Sequence, residues 1–190
     1  GYDRNDPCTY FSTMGCRTAN LWDVNGLGQQ KDGRGNICPV TIILPTLAMQ
    51  ATNEKYEDFP QCNHEESVIS SFLNLLDKKI YEAKDMLLER FEWICSQSPD
   101  AAKFMYENGT MAGYIPEEGI RSALKHGTIV IGMLGLAETL QILIGCDHTE
   151  EKGMKLAKII CQMYKDRCAK FKKEYSLNFG VYYTQAKMLS

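Results

Sequence analysis

Cys16 is the residue best placed to do chemistry. It stands between two runs of extended character in Asn5-Asp6-Pro7-Cys8-Thr9-Tyr10-Phe11-Ser12-Thr13-Met14-Gly15-Cys16-Arg17-Thr18, ahead of the glycine-rich turn Gly33-Arg34-Gly35-Asn36. That setting displays a thiol instead of burying it. Local chemistry leaves two readings open. A nearby cation favours the thiolate, so Arg17 fits a low-pKa nucleophile; an inert loop cysteine fits as well. A nucleophilic thiol would want a histidine base. None of the three histidines, 64, 126 and 148, is tied to Cys16 by a motif. Ordinary cysteine-protease chemistry therefore finds weak support.

Asn36 opens the run after the glycine-rich turn, where its amide could point into an interior; asparagine after glycine is also ordinary turn chemistry. Met14 reads locally as a gap-filling apolar side chain. Two patterns are decoys. Asp23-Val24-Asn25-Gly26-Leu27-Gly28 begins like a calcium loop, but Leu27 and Arg34 stand at its fifth and twelfth positions, so the ligand set fails. His64-Glu65-Glu66 lacks the second histidine of a helical zinc site.

The elements that must position these residues follow from periodicity. Residues 8–35 read as an extended arm with turns at Asn25-Gly26 and Asp32-Gly33. Residues 36–44 are a nearly continuous apolar strand, expected to be buried on both faces, with Pro39 marking a start or an irregularity. At 65–97, Val68, Phe72, Leu75, Leu76, Ile80, Ala83, Leu87, Phe91 and Ile94 form one helical stripe. Ser98-Pro99-Asp100 ends it, and shorter helices are expected at 100–108 and 117–125. Gly127–Leu134 reads as a second buried strand, followed by a helix through Ala137–Ile144. An amphipathic helix at 150–174 carries Leu156, Ile160, Met163 and Phe171 on one side, and a third strand spans Leu177–Thr184. Strands alternating with helices predict an α/β fold with parallel crossovers.

The chain has 190 residues, enough for one domain with a sizeable core. A net charge of −3 without a dense basic cluster argues against direct nucleic-acid binding. The longest apolar run, near Ile129–Leu136, is too short to span a bilayer, and no leader pattern suggests secretion. The eight cysteines show no Cys-x-x-Cys pair, so neither a zinc site nor a redox pair is expected within this chain. Cys161 and Cys168 share a helix face and read as core. Reduced thiols in the cytoplasm fit better than a disulfide framework, which leaves the Asn108-Gly109-Thr110 sequon without its compartment.

Asp6–Thr18, Gly33–Pro45 and His126–Glu138 resemble, in the same order, blocks of the anaerobic (class III) ribonucleoside-triphosphate reductases, which are glycyl-radical enzymes. The resemblance implies a portion of a ten-stranded α/β barrel made of two half-barrels. Residues 1–35 would be the cysteine-bearing finger loop and arm, and residues 36–190 half-barrel strands and helices, together one partial domain. Cys16 would become a thiyl radical that takes the ribose 3′ hydrogen, a step whose success depends on aiming atoms and excluding water and oxygen. Asn36 would bind ribose hydroxyls, and Met14 would mark the subtype that uses formate as reductant. His126, Gly127 and Thr128 would line the substrate. Thr184, Gln185 and Ala186 would stand at the phosphate end, where a helix N-terminus follows a strand.

Four residues depart from the likeness. Gln185 and Lys187 replace a proline and a glutamate, Thr46 replaces an arginine, and Ile43 an asparagine. The resemblance also implies parts not found in this sequence: a glycyl-radical site, a four-cysteine zinc module, a first half-barrel and a nucleotide-sensing domain. A separate iron–sulfur, S-adenosylmethionine-dependent activase would be a partner, and the full enzyme a homodimer. The chain is accordingly expected to be a piece of a longer protein, inactive alone. Another glycyl-radical enzyme is disfavoured by Met14-Gly15-Cys16-Arg17. A non-catalytic nucleotide- or partner-binding domain retaining the fold is the alternative that the departures favour.

Overall fold

Three parallel strands organise the chain: β3 (Asn36–Ile43), β4 (Thr128–Leu134) and β5 (Asn178–Tyr183), in that spatial order. The computed structural model describes residues 3–15, 18–58 and 64–183. Parallel neighbours need long crossovers. Here α1 (Leu44–Asp58), α2 (His64–Cys95), α3 (Lys103–Glu107) and α4 (Arg121–Leu124) connect β3 to β4, while α5 (Leu136–Ile144) and α6 (Glu151–Tyr175) connect β4 to β5. The expected α/β class and parallel sheet are present. Among the described residues the sheet has these three strands and does not close on itself.

Side chains alternate between the two faces of a strand. The registered row Ile37, Ile129 and Phe179 faces the helices and joins the hydrophobic core. The preceding row, Asn36, Thr128 and Asn178, therefore faces the other way. An irregularity keeps β3 in phase. Ile37 pairs with Ile129 but Val40 with Ile131, so β3 carries one extra residue there. Cys38 adopts φ 49°, and Pro39 follows it. This bulge returns Val40 and Ile42 to the helical face; without it they would turn outward. The irregularity expected at Pro39 is thus a bulge inside the strand.

The expectation of two-face burial for β3 is corrected. Of its eight residues only Ile37 and Ile42 are buried, and Thr41 and Ile43 on the other face are exposed. β4, the middle strand, is the one buried on both faces, through residue 133. A central position gives a strand two neighbours and two covered faces. The strand also ends one residue early, because Leu44 already begins α1.

Helix α1 was not foreseen. Pro45 sits in its first turn, where its missing N–H costs nothing, and Leu44, Leu47, Ala48 and Ala51 face inward. α2 follows the stripe read from the sequence, with Val68, Phe72, Leu76, Ile80, Ala83, Leu87 and Phe91 buried. On α6 the buried line is Leu156, Ile160, Tyr164, Cys168 and Phe171. Burial pushes the Cys168 thiol up to about 12, as suits an inert core residue.

Phe171 joins three elements. Its ring is fully buried, edge-on to Tyr81 of α2 at 5.2 Å and to Phe179 of β5 at 5.5 Å. The ammonium of Lys84, itself buried, lies 5.7 Å from the same ring. Phe171→Ala is expected to cost about 3–5 kcal/mol in urea unfolding, a cavity plus two lost aromatic pairs. Phe104→Ala, at a ring 72% exposed, is the control and should stay within about 0.5 kcal/mol.

Candidate functional site

The face of the sheet opposite the helices carries the arm. Strands β1 (Phe11–Gly15) and β2 (Thr18–Leu21) pair antiparallel, from Phe11 opposite Leu21 to Gly15 opposite Thr18. The arm read from residues 8–35 is therefore a hairpin followed by turns. Its sheet contact is close: a Cβ on Gly180 of β5 would come within 2.5 Å of Leu21 Cδ1. Cys16 lies in the two-residue link of this hairpin, outside the described residues, as do Thr184, Gln185 and Ala186 and the side chain of Met14.

A buried polar cluster fixes the base of the arm. Asp23, two residues past β2, is 2% exposed, and its Oδ2 lies 2.7 Å from Nδ1 of His126. Asn178 donates from Nδ2 to Asp23 Oδ1 at 2.8 Å, and its Oδ1 accepts the Val24 N–H at 2.9 Å. Asp23 also accepts the N–H groups of Asn25 and Leu27. Burial alone would push the Asp23 carboxyl up. The hydrogen bonds from Asn178, His126, Leu27 and Asn25 outweigh it and hold the group below its ordinary value.

Arg34 completes the base. It donates from Nε to the His126 carbonyl at 2.6 Å, from Nη1 to the Gln30 carbonyl at 2.6 Å and from Nη2 to the Leu21 carbonyl at 2.9 Å. Burial pulls its guanidinium below the usual value, against the pull of Asp23. Asn25 donates from Nδ2 to the carbonyls of Lys125 and Ser176, at 2.8 and 3.0 Å. The remaining edge of His126 lies beneath Gly113, at φ 72°, where a Cβ would run into the ring.

These contacts place the residues singled out from sequence. Asn36, Gly127 and Thr128 come together with His126 at the N-terminal end of the sheet; the Thr128 N–H donates to the Gly35 carbonyl at 2.9 Å. Asn36 also borders a cleft of about 320 Å³ shared with Gly33, Met105, Met111, Leu124 and Gly127. The parallel strands run away from this end, and β5 finishes at Tyr183 on the far side. Seven residues of β4 separate the two ends, about 20 Å. His126 and Tyr183 thus belong to opposite rims.

Asp23, Arg34 and Asn178 were not foreseen as partners. Asp23-Val24-Asn25-Gly26 held the signal: an aspartate two residues before Asn-Gly favours a turn closed by its own carboxylate. Nothing local marks its pairing with residues 126 and 178. Among the described residues, no three His, Cys, Asp or Glu side chains converge as metal ligands would, and no helix is long and apolar enough to cross a membrane.

A family model described as anaerobic ribonucleoside-triphosphate reductase matches residues 2–190. Curated proteins named anaerobic ribonucleoside-triphosphate reductase in Escherichia coli (strain K12) and in Salmonella typhimurium (strain LT2) are each 24% identical to the chain over 187 residues. One of the same name in Haemophilus influenzae (strain Rd) is 24% identical over 191. In each case the match covers 95% of this chain and 24% of the relative, so the chain spans about a quarter of their length. With a family model matching nearly every residue, the chain belongs to the anaerobic ribonucleoside-triphosphate reductase family.

Proposed function

We propose that this chain is the finger-loop and half-barrel region of an enzyme that reduces ribonucleoside triphosphates to deoxyribonucleoside triphosphates by radical chemistry. The observation that carries the reading is the β1–β2 hairpin, whose link contains Cys16, laid on the sheet face that bears Asn36, Thr128 and Asn178. The three parallel strands fit part of a ten-stranded barrel whose remaining strands come from elsewhere in a longer protein. Residues 1–35 then form the loop and arm, and 36–190 the half-barrel.

Cys16, as a thiyl, takes the 3′ hydrogen from the ribose and later returns it. Asn36 orients the ribose hydroxyls, and Met14, two residues before Cys16 in sequence, marks the members that take their reducing electrons from formate. Gly127 and Thr128 are buried, which suits a framework beneath the substrate. Thr184, Gln185 and Ala186 serve the triphosphate, with Lys187 adding positive charge. A glycyl radical housed outside this chain, made by an iron–sulfur, S-adenosylmethionine-dependent activase, supplies the odd electron. The full enzyme is a cytoplasmic homodimer, its zinc module lies outside this chain, and the 190-residue piece alone does not turn over.

One anaerobic assay of the activated full-length enzyme tests the reading. Substrate deuterated at C3′ should be reduced more slowly than the protiated form, and labelled formate should yield one carbon dioxide per deoxynucleotide. Equal rates, with no deuterium reaching solvent, would remove hydrogen abstraction from the mechanism. Product without carbon dioxide would remove formate.

A further inference from the structure

We infer that His126, locked between Asp23 and Gly113, is a positioning residue for Cys16, setting the height and tilt of the hairpin over the sheet; the inference rests on the catalytic reading of Cys16 above. His126 itself has no freedom to meet a substrate. Its side chain is buried, Nδ1 is engaged by Asp23, and Gly113 covers the opposite edge of the ring. What the ring holds is the arm. Asp23 is anchored on one oxygen by His126 and on the other by Asn178, so the segment leading into β4 and the first residue of β5 both grip the same carboxylate. Arg34 ties the carbonyl of His126 to that of Leu21, the last residue of β2.

The geometry makes this grip a fulcrum. Thr18, at the far end of β2, is five residues from Asp23, about 17 Å of extended chain. A tilt of about 5° at the base moves that end by about 1.5 Å, and a displacement of about 1 Å between reacting atoms costs on the order of 100-fold in rate. Leu21 against Gly180 limits sliding along the sheet but sits one side of the fulcrum. The cluster at Asp23 is what resists tilt.

The test uses the activated full-length enzyme with His126→Leu, His126→Asn, Asn25→Ala and Cys16→Ala. His126→Leu removes the donor to Asp23; asparagine returns an N–H near the position of Nδ1. For His126→Leu we expect kcat to fall about 100-fold with KM for the ribonucleotide changed less than about threefold. Amide exchange should quicken in residues 10–22 and stay unchanged in 128–134. His126→Asn should recover most of kcat. A kcat within about threefold of wild type, despite quickened exchange in the arm, would overturn the proposal, as would a loss carried by KM. If His126→Leu does not fold, Asn25→Ala carries the test, because it frees the arm from Lys125 and Ser176 at a half-buried position. It should likewise lower kcat and spare KM, and an unchanged kcat would overturn the proposal. Activity in Cys16→Ala would sink the underlying reading and this inference with it. Loss in Cys16→Ala beside full activity in both the His126 and Asn25 variants would sink this inference alone.

Discussion

Replacing Cys16 by alanine in the full-length enzyme is expected to abolish ribonucleotide reduction, by on the order of 10⁴-fold or more, without unfolding the protein. The size follows from the role. A group that makes and remakes the critical bond has no substitute nearby, whereas a group that only orients leaves residual rate. Serine should be as inactive as alanine. An O–H bond is much stronger than S–H, so the hydroxyl does not become a radical under conditions that oxidise a thiol. This separates radical from nucleophilic chemistry, where serine retains some function. The fold should tolerate both changes, since Leu21, Asp23, Asn25 and Arg34 secure the arm on the sheet. Anaerobic product formation and the thermal midpoint, measured on the same preparations, check both halves. Activity in the serine variant would redirect attention to a different chemistry.

Asp23→Ala should destabilise the protein by about 3–5 kcal/mol in urea unfolding, because it removes a buried carboxylate and strands the donors that it holds. Four donors lose their acceptor at once: His126 Nδ1, Asn178 Nδ2 and the N–H groups of Asn25 and Leu27. The same carboxylate should shape acid stability. Its pKa is lower folded than unfolded, so the folded state binds fewer protons. The stabilisation is fully present above the unfolded carboxyl value, near 4, and is lost as pH falls through the lower folded value. Unfolding curves from pH 6 to pH 2 should show a steeper loss in the parent than in Asp23→Ala. Parallel curves would mean that Asp23 does not contribute that term.

The helices and strands were largely legible because their signals are local. The stripe from Val68 to Phe91 and the run from Thr128 to Leu134 each announce their own periodicity. Helix α1 was not legible, although Leu44, Leu47, Ala48 and Ala51 recur at helical spacing. Half of that stripe is alanine, and Pro45 reads as a breaker until it is placed in a first turn. The two-face burial assigned to β3 failed for a different reason: whether a strand is central or at an edge depends on partners, and residues 36–43 contain no information about theirs. The cluster at the base of the arm was hidden in the same way. Asp23 looked like a failed calcium ligand, His126 like part of a motif and Asn178 like a strand start. Their meeting is written in three distant segments, and only the packed sheet brings them within hydrogen-bond reach.

That separation dictates an order of events as the chain is made. Asp23 leaves the ribosome before its two side-chain partners, which follow 103 and 155 residues later. The hairpin can pair with itself at once, since Phe11 and Leu21 are only ten residues apart, but the cluster at its base is not closed until Asn178 of β5 exists. Contacts of such long span form slowly and late. The arm, made before the strands it rests on, is therefore secured only after them.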